Sequence, residues 1–192
     1  NLSIALGSSG TTLYELTSAY SAFANMGNMT KPTVIRNIKS REGKLLFTAE
    51  PDKTQPISSE TAHIMTSLMQ SVIQNGTATK IKSLKRPVAG KTGTTNEAES
   101  TWFTGFNEFL VTTVWVGFDQ PQSLGNREFG SSTALPIWLD FMRPNIDFLP
   151  RNKNLPPNGI VSIKVDKKTG LKLESNSGNS IFEYYLEEYL PE

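Results

Sequence analysis

Apolar residues recur at the three-to-four-residue spacing of an amphipathic helix in three parts of the chain. These parts lie within residues 12–27, 58–76 and 132–144, and each is closed by a glycine or a proline. Thr12 and Glu15 have the spacing of a capping box at the first of them. The stripes predicted to be buried are Leu13, Leu16, Ala19, Tyr20 and Phe23; Ala62, Met65, Leu68, Met69, Val72 and Ile73; and Ile137, Trp138, Phe141 and Met142.

Strand-like segments lie between the second and third predicted helices. They span residues 88–95, 101–106 and 109–118, and Asn107-Glu108 forms a tight turn between the last two. Residues 109–118 are apolar on both alternating sides, which predicts a strand buried on both faces. The pattern therefore predicts an α+β fold in which an antiparallel β-sheet is flanked by helices.

The remaining segments predict peripheral structure. Residues 34–38 and 44–47 flank a turn and predict a short surface hairpin. Residues 145–158 are rich in Pro and Asn, which is typical of a connector, and they lead to a small strand pair and an acidic, tyrosine-rich end. We expect that end to pack back on the rest of the protein. The predicted division is a main unit over residues 1–143 and a connector with a small appendage over 144–192.

Composition limits the classes of function. The 192 residues include 37% hydrophobic residues and carry a formal net charge of +1, so no global field attracts nucleic acid. The absence of cysteine excludes disulfides, thiolate catalysis and thiolate-bound zinc. His63 cannot form a His-based metal site alone, and its position off the apolar stripe predicts a solvated side chain. We expect no metal and no organic cofactor.

The start of the chain predicts a piece of a longer protein. Asn1 is not an initiator Met, and no basic signal region follows it. No apolar run approaches the roughly 18 residues of a membrane span. We therefore expect an internal or C-terminal part, with any membrane anchor outside these residues.

The tripeptide Lys-Thr-Gly occurs twice, and its context differs. Lys91-Thr92-Gly93 follows the apolar Val88-Ala89 without a turn signal, which predicts an extended strand. Lys168-Thr169-Gly170 lies between residues 161–165 and 171–173, which alternate in polarity, and this predicts a hairpin turn with Gly170 in the left-handed conformation.

Gly90-Lys91-Thr92 also matches the end of a phosphate-binding P-loop, but two observations argue against that site. Lys85 stands where the first glycine of the motif is required, and Pro87 removes a backbone donor from the loop. No predicted helix follows the motif.

Several segments carry a resemblance to a known family. In chain order they are Asn1-Leu2-Ser3-Ile4-Ala5-Leu6-Gly7, Ala22-Phe23-Ala24-Asn25-Met26-Gly27, Gly76-Thr77-Ala78, Ala89-Gly90-Lys91-Thr92-Gly93-Thr94-Thr95, Thr101-Trp102-Phe103-Thr104-Gly105-Phe106, Val114-Trp115-Val116-Gly117, and Gly130 with Ala134-Leu135-Pro136-Ile137-Trp138. Over residues 1–143 the chain resembles the C-terminal part of the transpeptidase domain of class A penicillin-binding proteins. The resemblance implies the penicillin-binding transpeptidase and serine β-lactamase fold, here as its C-terminal half.

Two motifs of that family have no counterpart in the expected place. The family uses Ser-x-x-Lys for the nucleophilic serine and Ser-x-Asn for a proton-relay serine, and no Ser-x-x-Lys occurs here. Ser177-Gly178-Asn179 fits Ser-x-Asn, but it follows the Lys-Thr-Gly strand instead of preceding it. The resemblance therefore implies that a companion segment of the same polypeptide carries the nucleophile.

The resemblance also implies roles for the residues of the strand. Lys91 would place a positive charge beside the relay serine, and the amide of Thr94 would donate to the oxyanion. The hydroxyls of Thr92 and Thr94 would hold the carboxylate of a stem peptide or a β-lactam. Gly93 would keep the cleft or the neighbouring element clear, and Thr95 would border the cleft. Trp102 is predicted to pack behind the strand.

The function implied is that of a peptidoglycan D,D-transpeptidase, crosslinking stem peptides through a serine acyl-enzyme and inhibited by β-lactams. These residues alone would be inactive, and the whole protein would add a glycosyltransferase domain and an N-terminal anchor at the periplasmic face of the bacterial inner membrane. Two alternatives stay open, a noncatalytic scaffold that retains the penicillin-recognition sheet and a serine β-lactamase fragment.

Overall fold

A three-stranded antiparallel sheet with helices on both faces forms the centre of the structure. The structure is a computed structural model that describes residues 9–150, 155–174 and 179–191. Its α-helices are α1 (Leu13–Ala24), α2 (Ser59–Asn75) and α3 (Ala134–Asn145). Its strands are β1 (Met29–Thr30), β2 (Asn37–Lys39), β3 (Leu45–Thr48), β4 (Lys53–Thr54), β5 (Ala89–Thr94), β6 (Ser100–Phe106), β7 (Val111–Gly117), β8 (Ile160–Asp166) and β9 (Ser180–Leu186). The predicted α+β fold, an antiparallel sheet flanked by helices, is confirmed.

Strands β5, β6 and β7 are neighbours in sequence order, as the predicted meander requires. The turn between β6 and β7 is fixed by Asn107, whose side-chain oxygen accepts hydrogen bonds from the amides of Phe109 and Leu110, both at 2.9 Å. Because side chains alternate along a strand, Lys91 and Gly93 share one face of β5, and Thr92 and Thr94 share the other.

Each face of the sheet is covered by a different helix. On the face that includes Lys91, Phe106 packs against Tyr20 and Phe23 of α1. On the other face, Phe103 meets the ring of Trp138 of α3 edge to face, with centroids 5.1 Å apart. Trp138 is fully buried, and truncation of such a residue to Ala costs about 3–5 kcal/mol.

Helix α2 runs alongside β5 and contributes to the cores on both faces. Met69 joins the cluster around Phe106, whereas Ile73 joins the cluster around Trp138. The helix begins after Ser58, whose hydroxyl accepts a hydrogen bond from the amide of Thr61, and it ends at Gly76. Helix α1 has the predicted capping box between Thr12 and Glu15.

Part of the predicted core is exposed. Met65 and Leu68 on α2 are 37% and 51% exposed, and Ile137 and Phe141 on α3 are 52% and 49% exposed. Helical periodicity identifies a continuous apolar stripe but not how much of it another element covers. The prediction that these four side chains are buried is therefore wrong. It is also wrong for Leu13 and Ala19 of α1, which are exposed.

Helix α3 also continues past its predicted end, because Pro144 lies inside it. A proline lacks the N–H that would bond to the carbonyl one turn earlier, so it usually stops a helix. Here the helix ends only one residue later, and the Asn145 side chain donates to the Phe141 carbonyl at 2.6 Å. The cost of the proline is thus confined to the last turn.

Strand β7 is less buried than its sequence suggests. All of its residues from Val111 to Gly117 are partly exposed, and the flanking Phe109 and Phe118 are 42% and 47% exposed. The strand forms one edge of the three-stranded sheet, and no strand pairs with its outer side within residues 9–150, 155–174 and 179–191. The prediction of a strand buried on both faces is therefore wrong.

The end of the chain forms a hairpin that packs on α2. Residues 171–173 pair with the end of β8, as predicted, through the Val165–Lys172 bridge and a hydrogen bond from the Leu173 amide to the Lys164 carbonyl at 3.0 Å. The longer partner of β8 is β9, which pairs along its whole length. The ring of Tyr184 meets that of His63 edge to face at 4.6 Å. His63 is therefore half-buried, and the prediction that it is solvated is wrong.

Two small strand pairs, β1 with β4 and β2 with β3, complete the fold. All residues of β2 and β3 are exposed, which agrees with the predicted surface hairpin. No helix within the described part of the chain is long and apolar enough to cross a membrane.

Candidate functional site at the outer edge of strand β5

Strand β5 carries Lys91 to Thr94 of the residues predicted to act, Thr95 follows directly after it, and one edge of the strand is unpaired. The strand bonds to β6 on one side, and no described strand lies along the other side, which we call the outer edge. An unpaired edge offers backbone amides and carbonyls to an extended ligand. The strand is anchored at its start by Ala89, which is 1% exposed, so its later residues are held in a fixed register.

The amide of Thr94 points to the outer edge. The amide of Thr95 donates to the Ser100 carbonyl across the hairpin at 3.1 Å, so the Thr95 N–H faces β6. Amide directions alternate along an antiparallel strand, and therefore the Thr94 N–H faces away from β6. The same alternation places the Thr92 carbonyl at the outer edge.

Lys91 brings a positive charge to this edge. Its side chain is exposed, and its Nζ donates to the Thr92 carbonyl at 2.8 Å. No carboxylate of the described residues pairs with Lys91. The ammonium is thus held along the outer edge by one hydrogen bond and keeps two further donors for other groups.

The two threonine hydroxyls of the motif have different partners. Thr92 Oγ1 lies 3.1 Å from Thr77 Oγ1, and either hydroxyl can be the donor. Thr94 Oγ1 accepts a hydrogen bond from the Gly130 amide at 3.0 Å. Among the described residues, each arrangement leaves one hydroxyl proton without an acceptor, because the Thr92–Thr77 pair uses one of its two protons and Thr94 uses none.

Gly93 lies between two close neighbours, Trp102 on one face of the sheet and Gly130 on the other. A methyl group built on Gly93 would lie 3.2 Å from the Cβ of Trp102, its cross-strand partner. On the opposite face the backbone of Gly130 crosses the strand, and a methyl group there would lie 2.7 Å from the Gly93 carbonyl oxygen. Trp102 itself packs against Trp115 with ring centroids 6.1 Å apart.

The tip of the β5–β6 hairpin is held by the loop that follows β7. Glu97 and Ala98 have left-handed backbones, with φ of 62° and 53°. The hydroxyl of Ser123 donates to the Glu97 carbonyl at 2.9 Å, and the Leu124 amide donates to the Ala98 carbonyl at 3.0 Å. These bonds offset the strain of two unfavourable backbone conformations at the mouth of the site.

The sequence predicted the strand but not the two residues, Thr77 and Gly130, that hydrogen-bond to its threonine side chains. Thr77 and Gly130 belong to the segments that carry the family resemblance, yet neither was given a role. Both lie far from Lys91 in sequence, and their hydrogen bonds form only when α2 and the loop after β7 reach β5. The glycine at 130 was the available signal, since an isolated glycine can mark a close backbone approach. Ser177 and Gly178 of the Ser-x-Asn match lie outside the described residues.

Comparisons with known proteins identify the family of this chain. A family described as the penicillin binding protein transpeptidase domain matches residues 1–143. Penicillin-binding protein 1A of Pseudomonas aeruginosa is 36% identical over an alignment that takes in 100% of this chain and 29% of that protein. Penicillin-binding protein 1A of Aquifex aeolicus is 40% identical, with 83% of this chain and 22% of that protein covered.

A solved structure gives the same answer for the fold. The crystal structure of penicillin-binding protein 1A from Haemophilus influenzae superposes with a TM-score of 0.91 and 31% identity, covering 100% of this chain and 34% of that one. The chain thus spans between about a fifth and a third of the length of these three proteins. From the match over residues 1–143, the chain belongs to the family of penicillin binding protein transpeptidase domains.

Proposed function

We propose that this chain supplies the Lys-Thr-Gly strand of a serine-type D,D-transpeptidase, an enzyme that crosslinks peptidoglycan stem peptides and is acylated by β-lactams. The observation that carries the proposal is the pairing of an outward-facing Thr94 amide with the Lys91 ammonium on the outer edge of β5. The family membership of residues 1–143 supports it.

Acyl transfer explains why such an edge is useful. When a serine attacks a peptide or lactam carbonyl, negative charge develops on the carbonyl oxygen, and preorganised donors stabilise it. The Thr94 amide has no strand partner among the described residues and is fixed by the register of β5. We assign it as one oxyanion donor. Loss of one such donor typically costs about 2.7–4 kcal/mol in the transition state.

Lys91 acts on the proton relay and on the charge of the substrate. An ammonium within a few ångströms of a serine hydroxyl favours the deprotonated form, and it attracts the carboxylate of a stem peptide or β-lactam. With Thr77 as the donor to Thr92, the unused hydroxyl protons of Thr92 and Thr94 donate to that carboxylate. Thr95, whose side chain bonds back to Ser100, borders the cleft and shapes the hairpin tip.

The nucleophile comes from a companion segment of the same polypeptide. This chain contains no Ser-x-x-Lys, so it has no serine in the activated setting that the chemistry needs. We expect these residues alone to be inactive. The exposed apolar side chains of α2 and α3, such as Leu68, Ile137 and Phe141, are surfaces on which a companion can pack.

The proposal extends to the setting of the whole protein. Residues 1–143 are the catalytic unit and residues 144–192 the connector and appendage. Peptidoglycan lies outside the cytoplasmic membrane, so the active site faces the periplasm, with the membrane anchor and a glycosyltransferase domain outside this chain. The net charge of +1 gives no reason to expect a nucleic-acid partner.

Labelling with a fluorescent penicillin tests the proposal. The natural polypeptide that contains this chain is treated with the reagent, denatured, digested and mapped by mass spectrometry. Label on a Ser-x-x-Lys serine outside these residues is the expected result, and Lys91→Met should slow the labelling by about 10²–10⁴-fold. A folded, complete polypeptide that takes no label would instead indicate a noncatalytic scaffold, and rapid release of the label would indicate a β-lactamase.

A further inference from the structure

A cavity of about 380 Å³ lies between the end of α1, the middle of α2 and the start of β5. We call it the His63 cavity, and His63, Lys85, Arg86, Glu108, Phe106 and Tyr184 are among its lining residues. Its size falls within the range of about 300–1,000 Å³ that small-molecule sites occupy. Ala89 lines it, so it opens at the beginning of β5, about 17 Å along the strand from Thr94 at about 3.3 Å per residue.

Two residues of the lining each have a buried nitrogen atom that lacks a partner among the described residues. Arg86 Nη2 donates to the carbonyls of Leu149 and Pro150, at 2.8 and 2.7 Å, which fixes the guanidinium. Arg86 Nη1 is buried with no acceptor, and His63 Nε2 is buried with no partner, among the residues that the structure describes. Arg86 Nη1 is always a donor, whereas a neutral imidazole can carry its proton on either nitrogen. A buried donor that is left unpaired costs about 1–3 kcal/mol, more when it is charged, so the Arg86 guanidinium favours an acceptor brought close to it.

The charges of the lining favour an anion. Lys85 has a left-handed backbone with φ of 50°, and both it and the following Arg86 line the cavity. Neither cation forms an ion pair with a described carboxylate. Burial lowers the pKa of His63 from its ordinary value, so that ring is neutral at pH 7. Two cations against the single carboxylate of Glu108 leave one positive charge to be balanced.

The apolar part of the lining favours a flat body. Phe23 and Phe106 form one wall, and Tyr184 of β9 forms another, with its ring already edge to face with His63. Aromatic rings pack well against flat apolar groups. We propose that the His63 cavity binds a small carboxylate with a flat apolar or aromatic body, at a site separate from the outer edge of β5.

Such a ligand would join two parts of the chain. Its carboxylate pairs with Arg86 and Lys85 at the start of β5, while its body rests against Tyr184 on the β8–β9 hairpin. Binding to the docked state alone stabilises that state by mass action, so the ligand holds the hairpin on α2. The inference stands independently of the proposed acyl-transfer chemistry.

The test uses 2-naphthoate as the probe and the natural polypeptide with methyl-labelled methionine. Met26 lines the cavity, whereas Met142 is fully buried beside Trp138 and serves as an internal control. We expect a saturable shift of the Met26 methyl resonance with no shift at Met142. The uncharged analogue 2-naphthylmethanol should bind about tenfold more weakly, as expected from loss of a charge-assisted hydrogen bond.

Variants separate the cavity from the acylation site. Arg86→Gln should weaken 2-naphthoate about tenfold, and Ser67→Phe, which fills the cavity from α2, should abolish binding without touching Arg86. Lys80→Gln, an exposed lysine outside the lining, should leave binding unchanged. Binding should also survive acylation by penicillin.

Three results would overturn the inference. The first is a Met26 shift that does not saturate with 2-naphthoate, which would mean a water-filled cavity. The second is equal binding of 2-naphthoate and 2-naphthylmethanol. The third is loss of the Met26 shift when penicillin acylates the protein. An unchanged Met142 resonance in Ser67→Phe confirms that this variant is folded, so its loss of binding is interpretable even if Arg86→Gln is unstable.

Discussion

The chain contains Lys-Thr-Gly twice, at 91–93 on strand β5 and at 168–170 in the turn after β8. In the first copy the glycine lies in a strand between Trp102 and the Gly130 backbone, and the lysine points along an unpaired edge. In the second copy the glycine has φ of +72°, and its amide closes the turn onto the Asp166 carbonyl at 2.9 Å.

The difference lies in what surrounds the three letters. Before Lys91 come Val88 and Ala89, both buried, so the segment continues into the sheet. Before Lys168 comes Asp166, whose carboxylate accepts hydrogen bonds from the amides of Lys168 and Thr169 at 2.8 and 3.0 Å and so bends the chain. The residues that flank the same three letters thus decide whether they form an accessible strand edge or a turn.

Replacing each lysine by methionine gives the largest expected contrast. Lys91→Met should lower the second-order rate of penicillin acylation of the complete polypeptide by about 10²–10⁴-fold, the usual contribution of a group acting on proton transfer. Lys168→Met removes the same charge from an exposed turn and should leave the rate unchanged. Equal losses in both variants would show that the charge acts at long range and not at β5.

Replacing each glycine by alanine should separate activity from stability. Gly93→Ala places a methyl group 3.2 Å from the Trp102 Cβ and should shift the edge enough to lower acylation by tens of fold with the fold retained. Gly170→Ala should keep acylation and cost about 1 kcal/mol of hairpin stability, because φ of +72° strains an L-residue.

Measurements of acylation kinetics and thermal unfolding on both alanine variants test this prediction. Gly93→Ala should change mainly acylation, and Gly170→Ala should change mainly stability. Unchanged acylation in Gly93→Ala would remove Gly93 from the site. Unchanged stability in Gly170→Ala would mean that the turn relaxes to another conformation.

Thr94→Val should have a moderate effect. The variant loses the acceptor for the Gly130 amide, which should cost about 1 kcal/mol in stability and release the loop, but it keeps the backbone amide assigned to the oxyanion. Acylation should fall less than in Lys91→Met. Thr94→Ser retains the acceptor and is the matched control. A loss in Thr94→Val as large as that of Lys91→Met would contradict the assignment of the amide as the main contribution of this residue.

The smallest expected effect is a pH dependence of the turn at the second Lys-Thr-Gly, residues 168–170. Hydrogen bonds from the amides of Thr169 and Lys168 lower the pKa of Asp166 below its ordinary value of 3.8. A lowered pKa means that the turn is fully stabilised above pH 3.8 and loses that contribution as the pH falls through the folded value. The Thr169 amide resonance should report a midpoint below 3.8, and Asp166→Asn should remove the titration. A midpoint at or above 3.8 would argue against these hydrogen bonds in solution.

Local signals accounted for much of the fold. The capping box at Thr12, the turn at Asn107 and the left-handed Gly170 each depend on residues within a few positions, and each is observed. The order of β5, β6 and β7 followed because short connections favour antiparallel neighbours.

Long-range contacts account for what the sequence did not reveal. Whether Met65 or Ile137 is covered depends on distant elements, and periodicity carries no information about them. His63 was predicted to be solvated because its partner, Tyr184, lies more than a hundred residues away on β9. At the candidate site the motif identified Lys91 to Thr95, but the contacts of Thr77 and Gly130 required the folded chain. The roles of the motif residues and the division at residue 143 stay predictions.

The backbone of Gly130 crosses strand β5 and contacts the Lys-Thr-Gly segment, although residue 130 is distant from it in sequence. Thr94 and Gly130 are 36 positions apart, yet a methyl group on Gly130 would lie 2.6 Å from the Trp102 carbonyl oxygen. Real side chains do not tolerate that distance, so any substitution there must displace the loop or the strand. In a scan of all positions that scores penicillin acylation, residue 130 should therefore group with residues 91–94, although it contributes no side chain to the motif.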